Sequence, residues 1–296
     1  MGDAVRYLVV HRTSYHYDEP VGGSVNEARL LPRSTAHQLV QAATIEVTPV
    51  PSELSERLDF FGNRTHHLNL AGGFTTLEVT ARSEVEVSLP LLPEGEAATV
   101  SWETAAAQLA EPRVPLIVEA AQFVYPSSMV TPDPELDEWS AQSFAPGRPL
   151  AEAATDLSHR IHTEFDYAPG ATTTETSSLE VLRKGQGVCQ DFTHLALACL
   201  RGRGLAARYV SGYVETAPPE GQPQLTGGDA SHAWVSVWVP GHGWLDLDPT
   251  NDVVVGDRHI TTAWGRDYTD VPPLKGVIFW EGTTQHMEVS VHVDLL

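Results

Sequence analysis

Over residues 76–89 apolar and polar side chains alternate. Leu77, Val79, Ala81, Val85, Val87 and Leu89 fall on one face of an extended chain, and Glu78, Thr80, Arg82, Glu84 and Glu86 on the other. A strand repeats its side-chain direction every two residues, so this stretch buries one face and leaves the other in water. That pattern belongs to an antiparallel sheet or sandwich, not to a parallel sheet covered on both sides. The apolar face is interrupted at Ser83, which predicts a bend or split there. Neighbouring segments read the same way. Residues 6–17 are rich in Val, Tyr and Thr and close at the turn signal Asp18-Glu19-Pro20. Residues 44–50 alternate about Ile45 and Val47, and Gly62-Asn63 separates 58–61 from 65–68 as a hairpin. An all-β, sandwich-like domain is expected over residues 1–100. Its adjacent His66 and His67 permit metal binding in principle, but a surface hairpin pair favours the inert reading.

The remainder of the 296 residues is long enough for a second core. Prolines crowd residues 91–147, so 101–149 is expected to be a connecting region with short helices, one of them over 134–142. Leu150, Ala154, Leu157, Ile161 and Phe165 recur at helical spacing. His159 and His162 lie three apart on that helix, but no third metal ligand is evident and a solvated face is favoured. A second helix is expected over 191–200, with Phe192, Leu195, Ala196, Cys199 and Leu200 on its buried side. Strands follow at 206–215, 231–239 and 243–248, with a Pro/Gly-rich loop over 217–229 placed to flank a cleft. The tail ends in an alternating strand carrying Met287, Val289, Val291, Val293 and Leu295. Helices followed by antiparallel strands give an α+β domain over 150–296.

Charge narrows the partners. The formal net charge is −21, with Lys184 and Lys275 the only lysines, which argues against nucleic acid and anionic membrane surfaces. No apolar run approaches the roughly 18 residues of a membrane span. Residues 1–6 lack a basic region followed by an apolar core, so no signal peptide is read and a cytoplasmic location is expected.

The chemistry points to Cys189. Gly185 and Gly187 lie in the loop that delivers it to a helix N-terminus, where unpaired N–H groups and the helix dipole favour a thiolate. The competing reading is a small buried apolar residue. Cys199, on the core side, is read as structural. Two cysteines ten positions apart on one helix are about 15 Å apart, too far for a disulfide, and they do not build a cysteine-rich zinc site. A nucleophilic cysteine needs a base and a group that orients it. His232 opens one strand and Asp248 closes the next. If Trp238 pairs with Trp244, Trp234 lies opposite Asp248, and His232 and Asp248 become diagonal neighbours on one face. A tight four-residue loop would separate them. Asp246 competes as the orienter. His242, in the turn, and His194, pointing away from Cys189, compete weakly as bases.

Residues 187–192 (Gly-Val-Cys-Gln-Asp-Phe), 231–235 (Ser-His-Ala-Trp-Val) and 243–250 (Gly-Trp-Leu-Asp-Leu-Asp-Pro-Thr) resemble the three motifs of the transglutaminase-like superfamily, in that family's order. The β region ahead of them is similar to the module preceding this domain in bacterial members. The resemblance implies a papain-like core, with a nucleophile helix packed on an antiparallel sheet. It implies Cys189 as nucleophile, His232 as base and acid, and Asp248 as orienter, which demotes Asp246. The implied chemistry is thiolate attack on a peptide or protein amide to give an acyl-enzyme, with no metal or organic cofactor. The Cys189 N–H would supply half of an oxyanion hole. Tyr167 is the candidate for the second donor, and Gln190 and Trp234 are further candidates for substrate contact. Hydrolysis is the leading reading and glutaminyl transfer to an amine the alternative. Outside catalysis stands a binding module that keeps the fold. An arylamine acetyl-transfer enzyme shares the triad order but not the surrounding residues.

Overall fold

The computed structural model describes residues 4–217, 224–228 and 230–296. The chain begins with β1 (Val5–Ala28), β2 (Gln38–Thr48), β3 (Glu53–Leu58) and β4 (Arg64–Val87). Four short helices follow, α1 (Glu96–Thr99), α2 (Trp102–Ala110), α3 (Pro115–Ala121) and α4 (Pro134–Ser140). Next come α5 (Leu150–Glu164), β5 (Asp166–Tyr167), α6 (Ser178–Lys184), β6 (Gln186–Gly187) and α7 (Cys189–Gly202). The chain closes with β7 (Ala207–Val214), β8 (His232–Val239), β9 (Gly243–Asp248), β10 (Val253–Val254), β11 (His259–Gly265), β12 (Leu274–Phe279) and β13 (Gln285–Leu295). No helix among the described residues is long and apolar enough to cross a membrane.

The first sheet is built on two long strands. β1 and β4 run antiparallel, and each serves two further partners. β1 pairs with β13 from Tyr7 to Tyr17 and with β12 from Gly23 to Ala28. β4 pairs with β3 at one end and β2 at the other. One core gathers residues from both arms, including Val21, Leu68 and Leu70 from one and Val79, Ala81 and Ile45 from the other.

Three expectations change here. The turn signal at Asp18-Glu19-Pro20 does not end β1. The strand continues with register shifts between His16 and Gly23, and the Asp18 carboxylate accepts the Thr283 and Thr284 N–H groups of the β12–β13 connection. β4 is unbroken at Ser83, which pairs with Val9. Its irregularity lies at Gly72-Gly73, where Gly73 has φ +99°. A Cβ at Gly72 would stand 2.3 Å from the Gly22 carbonyl oxygen, so only glycine permits that approach. The C-terminal strands, expected with the second domain, instead complete the first sheet. β13 covers what would otherwise be an open edge of β1, satisfying a row of backbone groups.

The second sheet has the order β10-β9-β8-β7-β11, all antiparallel. Ala207, Tyr209, Val235, Val237, Leu245 and Leu247 share one core with α5 and α7. Alternate positions, among them Arg208, Trp238 and Trp244, face the other way. α7 was expected to bury one side, yet it is buried all round from Asp191 to Arg201. The reason is its place: α4, α5 and α6 pack around it while the sheet covers the rest.

Two side-chain amides join the sheets. β11 is an edge strand, and an edge leaves N–H and C=O groups open. Gln38 accepts from the Thr261 N–H and donates to the Thr261 carbonyl, both at 2.8 Å. Asn63 does the same for Trp264, at 2.9 and 2.8 Å. Asn63 is fully buried, so Asn63→Leu leaves both Trp264 groups without partners. The expected cost is about 2 kcal/mol, to be checked by denaturant unfolding.

Candidate active site

The local sequence explains how Cys189 is presented. Gly185 ends α6 in the left-handed conformation, φ +66°, as helix C-caps commonly do. β6 then pairs in parallel with β5, Tyr167 beside Gly187, and Cys189 begins α7. Gly187 has no room for a side chain, since a Cβ would stand 2.8 Å from that of Asp191. The Asp191 carboxylate accepts the Val188 N–H at 2.8 Å and the Thr172 hydroxyl at 2.6 Å. Burial raises its pKa against those two hydrogen bonds. Gly187→Ala is therefore expected to cost about 1–3 kcal/mol by overpacking and to displace the turn before Cys189. Thermal unfolding reads the first effect and the alkylation rate of Cys189 the second.

Cys189 is half-buried at the first helical position, where N–H groups have no intrahelical acceptor. His232 comes from the start of β8 and Asp248 from the end of β9. Trp238 pairs with Trp244, the register that sets His232 and Asp248 on one face. The His232 Nε2 lies 2.8 Å from Asp248 Oδ2, with both side chains wholly buried. Burial alone would lower the His232 pKa. The Asp248 carboxylate and then Cys189 outweigh it and raise it to about 10. Nε2 is committed to Asp248, and the buried Nδ1 has no hydrogen-bond partner among the described residues. For Asp248 burial raises the pKa, but the His232 charge and the hydrogen bonds from His232 and His259 hold it well below the usual carboxylate range.

Two neighbours of Asp248 escaped the sequence reading. His259, from β11, places Nε2 3.1 Å from Asp248 Oδ2. Asn251 donates to the same oxygen at 2.7 Å, while Oδ1 accepts the Thr250 and Asn251 N–H groups. Asn251 also holds the loop over His232, accepting from the Thr226 N–H at 2.7 Å. Gly227 in that loop has φ +90°, and a Cβ there would stand 2.6 Å from His232 Nδ1. The rest of the expected cleft-flanking loop, residues 218–223 and 229, lies outside the described residues. The α5 histidines are exposed, as expected, and each also reaches the turn after Asp248. His159 Nδ1 meets Asp252 at 2.8 Å and His162 Nδ1 the Thr250 carbonyl at 3.0 Å.

The other candidates separate clearly. Asp246 accepts from the Trp234 indole at 3.1 Å, on the row away from His232. Trp234 is fully buried and committed to that bond. It packs against His232, with ring centroids 6.3 Å apart, so it is a packing residue and not a substrate contact. Gln190 donates to the Thr174 carbonyl at 3.3 Å. Tyr167 is 40% exposed, beside the strand that leads into Cys189. His194 is buried and accepts from the Tyr268 N–H, and His242 sits in the β8–β9 turn. No group of three or more metal-ligating side chains is found among the described residues.

Comparisons place the chain. Residues 7–86 match the bacterial transglutaminase-like N-terminal region, and 138–249 match the transglutaminase-like superfamily. An uncharacterized protein of Mycobacterium tuberculosis is 42% identical over 97% of this chain and 92% of its own. The chain belongs to the transglutaminase-like superfamily. A solved Cytophaga hutchinsonii protein, described as a candidate cysteine protease, superposes with a TM-score of 0.71. The match covers 99% of both chains at 18% identity, a likeness of fold. A protein-glutamine gamma-glutamyltransferase of Pseudomonas aeruginosa is 33% identical over 37% of this chain and 17% of its own length.

Proposed function

We propose that this chain is a cysteine-nucleophile enzyme that hydrolyses peptide or amide bonds through Cys189, His232 and Asp248. The observation that carries the reading is one buried imidazole paired through Nε2 with the Asp248 carboxylate, its Nδ1 left without a partner among the described residues and Cys189 near enough to act on it. A buried imidazolium needs compensating negative charge on both sides, and thiolate with imidazolium is the reactive form of a cysteine nucleophile. The thiolate sulfur forms a bond to the amide carbonyl carbon. The oxyanion is received by the first-turn N–H groups of α7, with Tyr167 as candidate for a second donor. One such donor contributes about 3 kcal/mol. His232 gives its proton to the leaving nitrogen as the C–N bond breaks, leaving a thioester on Cys189. It then takes a proton from water as the water oxygen attacks that thioester and displaces the thiolate.

Transfer to an amine is the second reading, favoured by the match to the Pseudomonas aeruginosa gamma-glutamyltransferase. One experiment treats both. Glutamine-containing peptides are incubated with the protein, with and without a primary amine, and products and intact protein are weighed by mass spectrometry. Carboxylic acid products despite added amine support hydrolysis, and amine-bearing products support transfer. Both require a transient acyl adduct on Cys189 that Cys189→Ala lacks. If a broad peptide library gives neither adduct nor product, the non-catalytic binding module takes precedence.

A further inference from the structure

A second site lies on the face of the sheet turned away from α7. A cavity of about 830 Å³ opens there between the two modules, within the size range of small-molecule sites. β7, β8 and β9 form its floor. Its far wall comes from Phe61, the segment after β4 and α3. Cys189, His232 and Asp248 are not among its lining residues.

The floor carries a cation, Arg208, that makes no salt bridge among the described residues, with Asp246 the anion acting on it from beyond contact. Arg208 is buried and lines the cavity. Its guanidinium carbon stands 4.2 Å from the Trp244 ring centroid and 3.8 Å from that of Trp264. Its one hydrogen bond among the described residues runs from Nε to the Ser236 hydroxyl at 3.3 Å. The other two buried arginines have carboxylate or carbonyl acceptors in direct contact. Arg29 meets Glu27 and Asp59, and Arg201 donates to the Ala207 and Arg266 carbonyls and the Ser127 hydroxyl. Stacking between tryptophans orients a guanidinium but leaves its in-plane donors open. Beside it, His259 also lines the cavity, and its buried Nδ1 has no partner among the described residues. The open donors of Arg208 call for a ligand that supplies acceptors, whereas His259, which gives its Nε2–H to Asp248, presents Nδ1 as an acceptor.

We propose that this cavity binds a small molecule with one carboxylate and an apolar or aromatic body, the carboxylate seated on Arg208. A planar carboxylate matches the open fork of the guanidinium. A phosphate dianion suits the site less, because Asp246 and Glu119 also line it. The body lies against Trp238 and Phe123.

The test is isothermal titration calorimetry with 3-phenylpropanoate as probe, and 3-phenylpropan-1-ol and 3-phenylpropylamine as partners of matched shape. The carboxylate is expected to bind at least about tenfold more tightly than either, the scale of a charge-assisted hydrogen bond. Binding should persist after Cys189 is alkylated, which separates this site from the nucleophile and makes the result independent of any turnover. Arg208→Met, checked for fold by circular dichroism, should weaken it by at least about tenfold. The proposal is overturned if the carboxylate gives no heat, binds no better than the alcohol, is lost on alkylation of Cys189, or is unaffected in a folded Arg208→Met protein.

Discussion

Asp248→Ala is expected to lower stability by about 3–5 kcal/mol, the scale of breaking a buried charge pair, and the melting temperature by roughly 10 °C. The carboxylate has no exposed surface and gathers His232, His259, the Asn251 side chain and two backbone N–H groups. Removing it strands all of them, and a buried imidazolium without its counter-ion is the most expensive. Asp248→Asn should fall between. Its single carbonyl oxygen can face the backbone N–H groups or the two histidines, and its NH₂ then opposes donors on the other side. The pH dependence has a definite sign. Asp248 is held below its ordinary value, so its contribution is present above about pH 4 and fades as pH falls further. His232 is raised to about 10, so its contribution is complete below about pH 6.5 and is lost as pH rises through about 10. The difference between wild type and Asp248→Asn should therefore be largest between about pH 4 and 6.5. Melting curves across that range check it. A difference that grows from pH 7 to pH 10 would mean that no ion pair forms.

The pairing of His232 with Asp248 was legible because it depends on local quantities. Strand parity and the length of the 239–243 turn decide which side chains share a face; the sequence left two registers open, and the observed pairing of Trp238 with Trp244 is the one that brings His232 and Asp248 together. Parity did not separate Asp248 from Asp246. The structure does, because Trp234 occupies Asp246 while His232 and His259 converge on Asp248. His259 left no trace in the sequence. It arrives on β11, which joins the far edge of the sheet beside β7, and no periodicity near residue 259 reports which strand it will pair with. The same limit hid β12 and β13. Their alternation marks them as strands, but an alternating strand satisfies any open edge, and only the assembled first sheet shows that β1 has one to fill. α7 was underestimated for a related reason. Its apolar stripe was visible, whereas His194 and Arg201 are buried through partners distant in sequence, Tyr268 and Arg266.

His232→Ala should carry the largest functional effect. With the imidazole removed, Cys189 loses the cation that balances its thiolate, the proton donor for the leaving amine and the base for deacylation. Loss of a triad member that serves all three steps costs about 10⁴-fold or more in kcat/KM. The direct readout needs no substrate. Iodoacetamide alkylation near neutral pH, mapped by peptide mass spectrometry, compares Cys189 with Cys199 in one chain. Cys199 is fully buried and burial pushes its thiol up to about 12, so it serves as an internal inert reference. Cys189 should react much faster than Cys199 in wild type, and His232→Ala should slow Cys189 by at least about tenfold while leaving Cys199 unchanged. Because the His232 pKa stands near 10, the advantage of wild type over His232→Ala should fade as pH rises through about 10, where the imidazolium is lost. An equal Cys189 rate in both proteins would show that His232 does not control the thiol. The buried histidine–aspartate pair would then be a structural feature of a binding module, and the proposed hydrolysis would lose its base.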